Sequence, residues 1–194
     1  MPQSKREELI ETAIKLFYRE GFHATGIDKL LAESGCAKMT LYKYFRSKEE
    51  LILAALRRLD EMARLEFERE TERRAKTPVG RLLAMFDVLG GFIERPEFNG
   101  CYFINASAEY SHPDHPIQRL CAENKRLTTR YIEGLCAAAG APDPAGLARK
   151  LNLLLEGAIV TAHVARDPNA VADAKEAGLA LIEKATGTSA AHAA

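Results

Sequence analysis

The chain has 194 residues, of which 47% are hydrophobic and 28% charged, and its 27 Lys and Arg residues balance 27 Asp and Glu residues. This composition is typical of a folded chain of one or two domains with a sizeable core, and it argues against intrinsic disorder. Zero net charge argues against a protein that coats nucleic acid or membrane by bulk positive charge, so any nucleic-acid site is local.

The pattern of apolar residues and cysteines indicates where the protein works. No apolar stretch is long enough to span a membrane, and the first eight residues are polar and charged, unlike a secretory signal. The four cysteines form no CxxC pair, which predicts reduced, buried thiols instead of disulfides. We therefore expect a cytoplasmic protein without a membrane partner.

Helical periodicity dominates the sequence, because apolar residues recur every three to four positions and few runs alternate like a strand. Capping boxes predict helix starts at Ser4, Thr25 and Ser47, and Thr77, Asp143 and Asp167, each followed by proline, predict three more. Gly21 and Gly35 end the first two helices. The fold class is predicted to be all-α. The predicted helices cover about residues 5–20, 26–34, 38–45, 48–76, 77–95, 101–110, 117–139, 145–165 and 169–185.

The first three helices are short and separated by turns that contain glycine, which is typical of a helix-turn-helix unit. We therefore assign residues 1–50 to a helix-turn-helix domain. The long fourth helix joins it to a larger helical domain over residues 51–185. Residues 186–194 are small and polar, and we expect them to form a disordered tail.

The third helix carries the clearest functional signal. Between residues 36 and 48 there are four cations and no anion, which suits contact with phosphates. Leu41 and Phe45 lie four positions apart, so they share a face and anchor the helix in the core. The hydroxyls of Tyr42 and Tyr44 can donate to phosphate oxygens. The alternative is a charged surface helix in another kind of helical bundle.

The stretch Glu8–Leu56 resembles the DNA-binding domain of TetR-type (TetR/AcrR family) transcriptional regulators. The resemblance is carried by Phe22, by TGI at 25–27, by GCAKM at 35–39 and above all by TLYKYFRSKEEL at 40–51. It implies that the third helix faces the major groove through Lys38, Met39, Thr40 and Tyr42. It implies phosphate contacts for Thr25, Lys43, Tyr44 and Lys48, and a core role for Ile27, Leu30, Leu41 and Phe45.

Two residues depart from the family pattern. Ala37 stands where the family often has a Ser or Thr cap, so the third helix loses a cap bond worth about 1 kcal/mol. Met39 stands where glycine is common, and it either contacts a thymine methyl group or packs. The operator sequence therefore does not follow from these residues.

The resemblance also implies that the C-terminal helices form a ligand pocket and a homodimer interface. We expect the pocket to be lined by Phe86, Phe103, Asn105, Tyr131 and His163, although aromatic residues at helical spacing also fit a plain core. The last two helices carry long apolar stripes with small residues that permit close helix approach. The interface is predicted at Leu151, Leu155, Ala158, Ile159, Ala162, Ala174, Ala177 and Leu181.

No metal or other cofactor is predicted. His112 and His115 lie in a loop broken by prolines and have no partners at a recognised ligand spacing. Cys101 as a redox sensor has no basic neighbour in the sequence to lower its pKa. An all-helical enzyme and a protein-interaction bundle are the rival classes, but neither needs a cationic third helix, and no catalytic motif is present.

The predicted function is therefore that of a DNA-binding transcriptional regulator. The partners are a double-stranded, palindromic operator, a second copy of the chain and an unidentified small-molecule effector. A repressor released by its effector is the expected form, while activation depends on the position of the operator. The alternatives are the enzyme with a diffuse site and the interaction bundle.

Overall fold

The computed structural model describes residues 4–188, and this part of the chain is all-helical, as predicted. Thr186 still belongs to the last helix, whereas residues 189–194 of the predicted tail lie outside the described residues. The nine helices of the described part are α1 (Lys5–Glu20), α2 (Ile27–Ser34), α3 (Lys38–Tyr44), α4 (Lys48–Arg74), α5 (Pro78–Ile93), α6 (Tyr102–Glu109), α7 (Pro116–Ala138), α8 (Pro144–Val164) and α9 (Ala170–Thr186).

Most of the predicted helix caps are confirmed. The Ser4 hydroxyl accepts from the Glu7 amide at 3.3 Å while the Glu7 carboxylate accepts from the Ser4 amide at 3.0 Å, which completes the capping box of α1. Thr77 caps α5 by accepting from the Gly80 amide at 3.0 Å. Asp143 accepts from the Gly146 amide at 2.9 Å and caps α8 in the same way. These local bonds fix where the helices begin.

The predicted caps at Thr25 and Asp167 are wrong. α9 has Asn169 at its N-cap position, without a side-chain bond. α2 begins one residue later than predicted, at Ile27, and Gly26 occupies its N-cap position without a side-chain bond. The Thr25 hydroxyl points back along the chain and donates to the Gly21 carbonyl at 2.7 Å. Thr25 therefore closes the turn between α1 and α2 instead of capping α2.

The chain folds into two compact units. Unit 1 combines the residues up to Met62 with Cys101–Asn124, and unit 2 combines Ala63–Gly100 with the residues from Lys125 onward. The boundaries fall inside α4 and α7, so both helices run from one unit into the other. This division differs from the single boundary at residue 50 expected from the sequence, because α6 and the start of α7 group with the first helices.

Unit 1 has a core formed by the first three helices and the start of α4. Leu16 of α1, Leu30 of α2, Leu41 of α3 and Leu51 of α4 are all completely buried in it. Phe103, on α6, belongs to the same core. The three short helices thus obtain their stability from burial against each other and against longer helices.

Unit 2 has its own core, in which α9 packs along α8 and also against α5. Gly178 of α9 lies against the ring of Phe86, so close that a Cβ atom at this position would stand 2.7 Å from Cζ. Near them, Lys175 of α9 is paired with Asp87 of α5 at 2.6 Å. The absence of a Cβ atom at Gly178 therefore allows α9 to approach α5 this closely.

No helix of the described residues is both long enough and apolar enough to span a lipid bilayer.

We expect Gly178→Ala to destabilise unit 2. Alanine is the better helix former by about 1 kcal/mol, but the added methyl group collides with the fully buried Phe86 ring, and overpacking costs about 1–3 kcal/mol. The net loss should appear as a lower urea midpoint at a fixed protein concentration.

Gly134→Ala provides the matched control for this substitution. Gly134 lies on the exposed side of α7, and nothing within 4 Å meets its Cβ position. The substitution should raise the free energy of unfolding by up to about 1 kcal/mol, which appears as a higher urea midpoint. Equal gains for both variants would show that the contact between Gly178 and Phe86 does not limit the packing.

Candidate nucleic-acid interface

α3 is held in unit 1 by two side chains. Leu41 is completely buried and Phe45, directly after the helix, is 2% exposed. The guanidinium of Arg6 lies 5.5 Å from the centre of the Phe45 ring, which adds a cation–π contact to the anchor. This confirms the predicted core role of both residues, and the opposite side of α3 is left on the surface.

The exposed side of α3 carries the residues predicted to face the major groove. Met39 is 82% exposed, an unusual state for so large an apolar side chain. Lys38 and Tyr42 are also exposed, and Thr40 is half-buried. Lys38, Met39 and Tyr42 share the outer side of this short helix and offer hydrogen-bonding and apolar groups, which is the kind of surface that reads base edges.

The residues predicted to bind phosphates lie at the C-terminal end of α3 and at the start of α4. Lys43 and Tyr44 are exposed, and the Lys43 ammonium lies 5.8 Å from the centre of the Tyr44 ring. Lys48 is half-buried and donates to the carbonyl of His23 at 3.0 Å. Burial lowers the pKa of Lys48, and the charge of Glu109 opposes that shift.

Thr25 does not fit the phosphate contact that the resemblance implies. Its side chain is completely buried, and its hydroxyl donates a hydrogen bond to the Gly21 carbonyl. The contribution of Thr25 is therefore the shape of the turn, while any contact with DNA at this position has to come from the backbone.

Ala37 occupies the N-cap position of α3, as the sequence suggests. Its backbone angles, φ −70° and ψ 148°, are those of a normal N-cap, but no side-chain bond is made there. The Thr40 amide donates to the Ala37 carbonyl at 2.9 Å. The first turn of α3 therefore lacks the stabilisation that a hydroxyl would give.

Sequence reasoning missed Glu109, the last residue of α6. Its carboxylate accepts from the Phe22 amide at 2.8 Å and from the His23 amide at 2.6 Å, in the turn between α1 and α2. Burial raises the pKa of this carboxyl, but the bonds from His23 and Phe22 outweigh it and hold the pKa below its usual value. No sequence pattern marks a contact that spans more than eighty positions of the chain.

The five residues predicted to line a ligand pocket are divided between the two units. Phe103 and Asn105 belong to unit 1, where Phe103 is part of the core. Phe86, Tyr131 and His163 belong to unit 2. Within unit 2, Nδ1 of His163 is buried and has no hydrogen-bond partner among the described residues, while the buried Tyr131 hydroxyl interacts with the Thr71 side chain. His163 also makes an edge contact with Phe98, at 5.8 Å between ring centres.

Unit 1 contains an open cleft of about 480 Å³ between α4 and α7. Charged and amide side chains line most of it, and Asn124 donates to Asp60 across it at 2.8 Å. None of the five predicted ligand residues lines this cleft, so it does not correspond to the predicted apolar pocket. In the described part of the chain, no three His, Cys, Asp or Glu side chains are grouped as metal ligands.

Most residues predicted for the dimer interface lie inside their own subunit. Leu151, Leu155, Ala158, Ala162 and Ala174 are each at most 8% exposed, and Ile159 and Leu181 pack against the same core. Ala177 alone among the eight is exposed. The apolar stripe read from the sequence is therefore the face of α8 and α9 that builds the core of unit 2. A second stripe of α8, formed by Leu153, Gly157, Val160 and Val164, is exposed.

Two family models match the chain. One, described as bacterial regulatory proteins of the tetR family, matches residues 9–55, which include the whole of α2 and α3. The other, described as a tetracyclin repressor-like C-terminal domain, matches residues 78–177. The second match alone covers more than half of the chain, and both lie on the parts to which the sequence assigns reading and regulation.

Curated relatives and solved structures agree with these matches. The regulator YjdC of Escherichia coli is 26% identical over 155 residues, which cover 80% of this chain and 81% of YjdC. The repressor ComR of the same organism is 26% identical over 166 residues, which cover 81% of this chain and 79% of ComR. The crystal structure of SCO4454, a TetR-family regulator from Streptomyces coelicolor, is 30% identical, with a TM-score of 0.87 over 94% of this chain and 96% of that one.

We expect Ala37→Ser to stabilise unit 1 by about 0.5–1 kcal/mol, because a hydroxyl at the N-cap accepts from an amide in the first turn of α3. Ala32→Ser is the control, since Ala32 lies on the exposed side of α2 and serine is the poorer helix former there. Urea unfolding should give shifts of opposite sign. A loss at residue 37 would contradict the description of Ala37 as an incomplete cap.

Proposed function

Because the chain belongs to the TetR family of bacterial regulatory proteins, we propose that it is a homodimeric repressor that a small molecule releases from a palindromic operator. The family consists of transcriptional regulators, so the enzyme alternative is excluded. The observation that carries the proposal is the exposed outer side of α3, with Met39 at 82% exposure above two buried anchors. The relative ComR, named as a repressor, supports this form of regulation.

In the proposed complex, α3 lies in the major groove of the operator. Lys38, Met39, Thr40 and Tyr42 face base edges, where the Met39 side chain suits a thymine methyl group. Lys43, Tyr44 and Lys48 contact phosphates on either side. The protein acts in the cytoplasm, where bacterial DNA lies. Since the whole chain is neutral, this local charge sets the orientation on DNA.

The proposed dimer uses the exposed stripe of α8 in place of the buried one. Leu153, Val160 and Val164 are 71%, 43% and 74% exposed, and with Gly157 they recur at helical spacing along one face. Ala177, on the exposed side of α9, extends this apolar surface to the neighbouring helix. Two such faces related by a two-fold axis bury each other and place two α3 helices for two half-sites.

The proposed effector binds in unit 2. The buried Nδ1 of His163 has no hydrogen-bond partner among the described residues, and buried polar groups are normally bonded. Burial raises the pKa of Tyr131, so its hydroxyl stays protonated and able to donate. An effector that favours a dimer with a different spacing of its α3 helices opposes DNA binding, and the coupling is reciprocal.

The first test is a fluorescence anisotropy titration with the DNA upstream of the protein's own gene. We expect binding at least ~10³-fold tighter than to a scrambled duplex, and weaker binding at higher salt. Equally weak binding to both duplexes would count against an operator at this location. In that case a selection from random duplexes decides whether the protein reads any sequence.

Lys43→Gln should weaken binding to the operator and to the scrambled duplex by similar factors. The loss of one phosphate contact also lowers the slope of log K against log salt by about 0.9. Lys76→Gln is the control, because Lys76 is an exposed lysine of unit 2 and the change in charge is the same. If the two variants behave alike, Lys43 acts only through the net charge of the protein.

Leu153→Asp should convert the dimer to monomers without unfolding them. Residue 153 is exposed in the single chain, so the monomer tolerates a carboxylate, whereas a two-fold interface would bury two of them. We expect the dimer Kd to rise by about 100-fold or more, as sedimentation equilibrium measures it.

The control for this variant is Leu65→Asp. Leu65 is a leucine of α4 with 55% exposure, and it lies outside the proposed stripe. It should leave the dimer intact. Dimers of unchanged strength in the Leu153 variant would place the interface elsewhere, and a monomeric parent protein would contradict the homodimer itself.

A further inference from the structure

The turn between α1 and α2 is held by a side chain from α6. Glu109 Oε1 accepts from the Phe22 amide at 2.8 Å, and Oε2 accepts from the His23 amide at 2.6 Å. The ring Nδ1 of His23 donates to the same Oε2 at 2.8 Å. A carboxylate that accepts three N–H donors on consecutive residues fixes both the backbone and the side chain of the turn.

Stacked rings hold His23 from a second direction. The centre of the Tyr110 ring lies 4.6 Å from that of His23, with an interplanar angle of 25°. On its other side, the Tyr110 ring centre lies 4.8 Å from that of His115, with an angle of 28°. Burial, with the charges of Glu49 and Glu109, raises the pKa of Tyr110 to about 12. The middle ring of the stack is therefore a neutral phenol that follows directly after Glu109. Glu109 and Tyr110 therefore both contact the turn between α1 and α2.

The turn between α1 and α2 also holds the side chain of Lys48. The carbonyl of His23 accepts from the Lys48 ammonium at 3.0 Å, which uses one of the three donors of that group. Burial lowers the pKa of Lys48, and the nearby charge of Glu109 favours its protonated form. Lys48 also opens α4, directly after the loop that follows α3. The position of its ammonium thus depends on where the His23 carbonyl is held.

We propose that Glu109 is a positioning residue for DNA binding, which fixes the His23 carbonyl and through it sets the ammonium of Lys48 against a DNA phosphate. The inference rests on the phosphate contact proposed for Lys48. It assigns a role in DNA binding to a residue of α6, outside the first three helices. The carboxylate itself does not touch DNA.

The sign of the effect separates this role from simple electrostatics. Removing a negative charge from unit 1 lowers the repulsion between protein and DNA, so Coulomb's law alone predicts tighter binding for Glu109→Gln. Glutamine has the same shape, but it offers one acceptor oxygen and turns an N–H₂ group toward a donor. Positioning through the turn therefore predicts weaker binding.

The test measures binding to the operator and to a scrambled duplex over a salt series. Glu109→Gln should weaken both about tenfold and lower the salt slope by about 0.9, as expected when the phosphate contact of Lys48 is lost. Glu11→Gln is the control, because Glu11 is an exposed glutamate of α1 in the same unit and the change in charge is the same. It should leave binding unchanged or make it tighter.

A double-mutant cycle with Lys48→Gln tests the route. If Glu109 acts through Lys48, Glu109→Gln adds less than about a twofold loss in the Lys48→Gln background. Glu109→Asp keeps the charge but withdraws it by one methylene, so it should weaken binding in the same direction as glutamine. Thermal unfolding of each variant sets an assay temperature at which all are folded.

Three results would overturn the inference. The Glu109→Gln variant could bind DNA as tightly as the parent, or its salt slope could equal that of the parent. The third is a double variant whose loss of binding free energy equals the sum of the losses of Glu109→Gln and Lys48→Gln. Failure of the operator proposal is distinguishable from these. A parent protein that does not discriminate between the two duplexes contradicts the operator proposal, while the scrambled duplex still reports the phosphate contact of Lys48. Unequal slopes between parent and Glu109→Gln on that duplex would uphold the positioning role.

Discussion

The surface that we propose to read DNA depends on the burial of two side chains. α3 has seven residues, fewer than an isolated helix needs to be stable in water, and its first turn has no side-chain cap. Leu41 and Phe45 supply what the helix lacks, because both are almost completely removed from solvent. They also fix the rotation of α3, so Met39 and Tyr42 must face outward. The same two residues thus determine both the stability and the direction of the surface.

In the proposed switch, chain continuity provides the route between the unit that binds the effector and the unit that binds DNA. α4 begins beside α3 in unit 1 and ends in unit 2, and α7 crosses the same division. A helix transmits a displacement along its axis better than a loop does, because its backbone bonds restrain every residue. α6 belongs to unit 1, where its last residue bonds to the turn before α2. Unit 1 is therefore a composite of the first helices and later segments.

Local sequence predicts local structure in this chain, and contacts between distant residues limit what it predicts. Ser4, Thr77 and Asp143 cap the helices that they were expected to cap, because each bond spans three positions. The outward face of α3 was predicted from a spacing of four residues. The direction of the Thr25 hydroxyl, the buried face of α8 and the bonds of Glu109 were missed. Each depends on what another segment places opposite, and α8 carries apolar residues on two of its sides, one buried and one exposed.

Buried polar groups are fully hydrogen-bonded at some positions of the molecule and incompletely bonded at others. In unit 1, the carboxylate of Glu109 meets three donors, so the turn that it holds is specified by complete hydrogen bonding. Other buried polar atoms have no hydrogen-bond partner among the described residues, namely Oε1 of Gln118 in unit 1 and Oδ1 of Asn152 and Nδ1 of His163 in unit 2. Leaving such groups unpaired costs about 1–3 kcal/mol each, which a bound molecule recovers by bonding to them. In the proposed switch, a ligand of unit 2 gains free energy by bonding to such a group, and it favours one conformation of the protein only if that bond is stronger there.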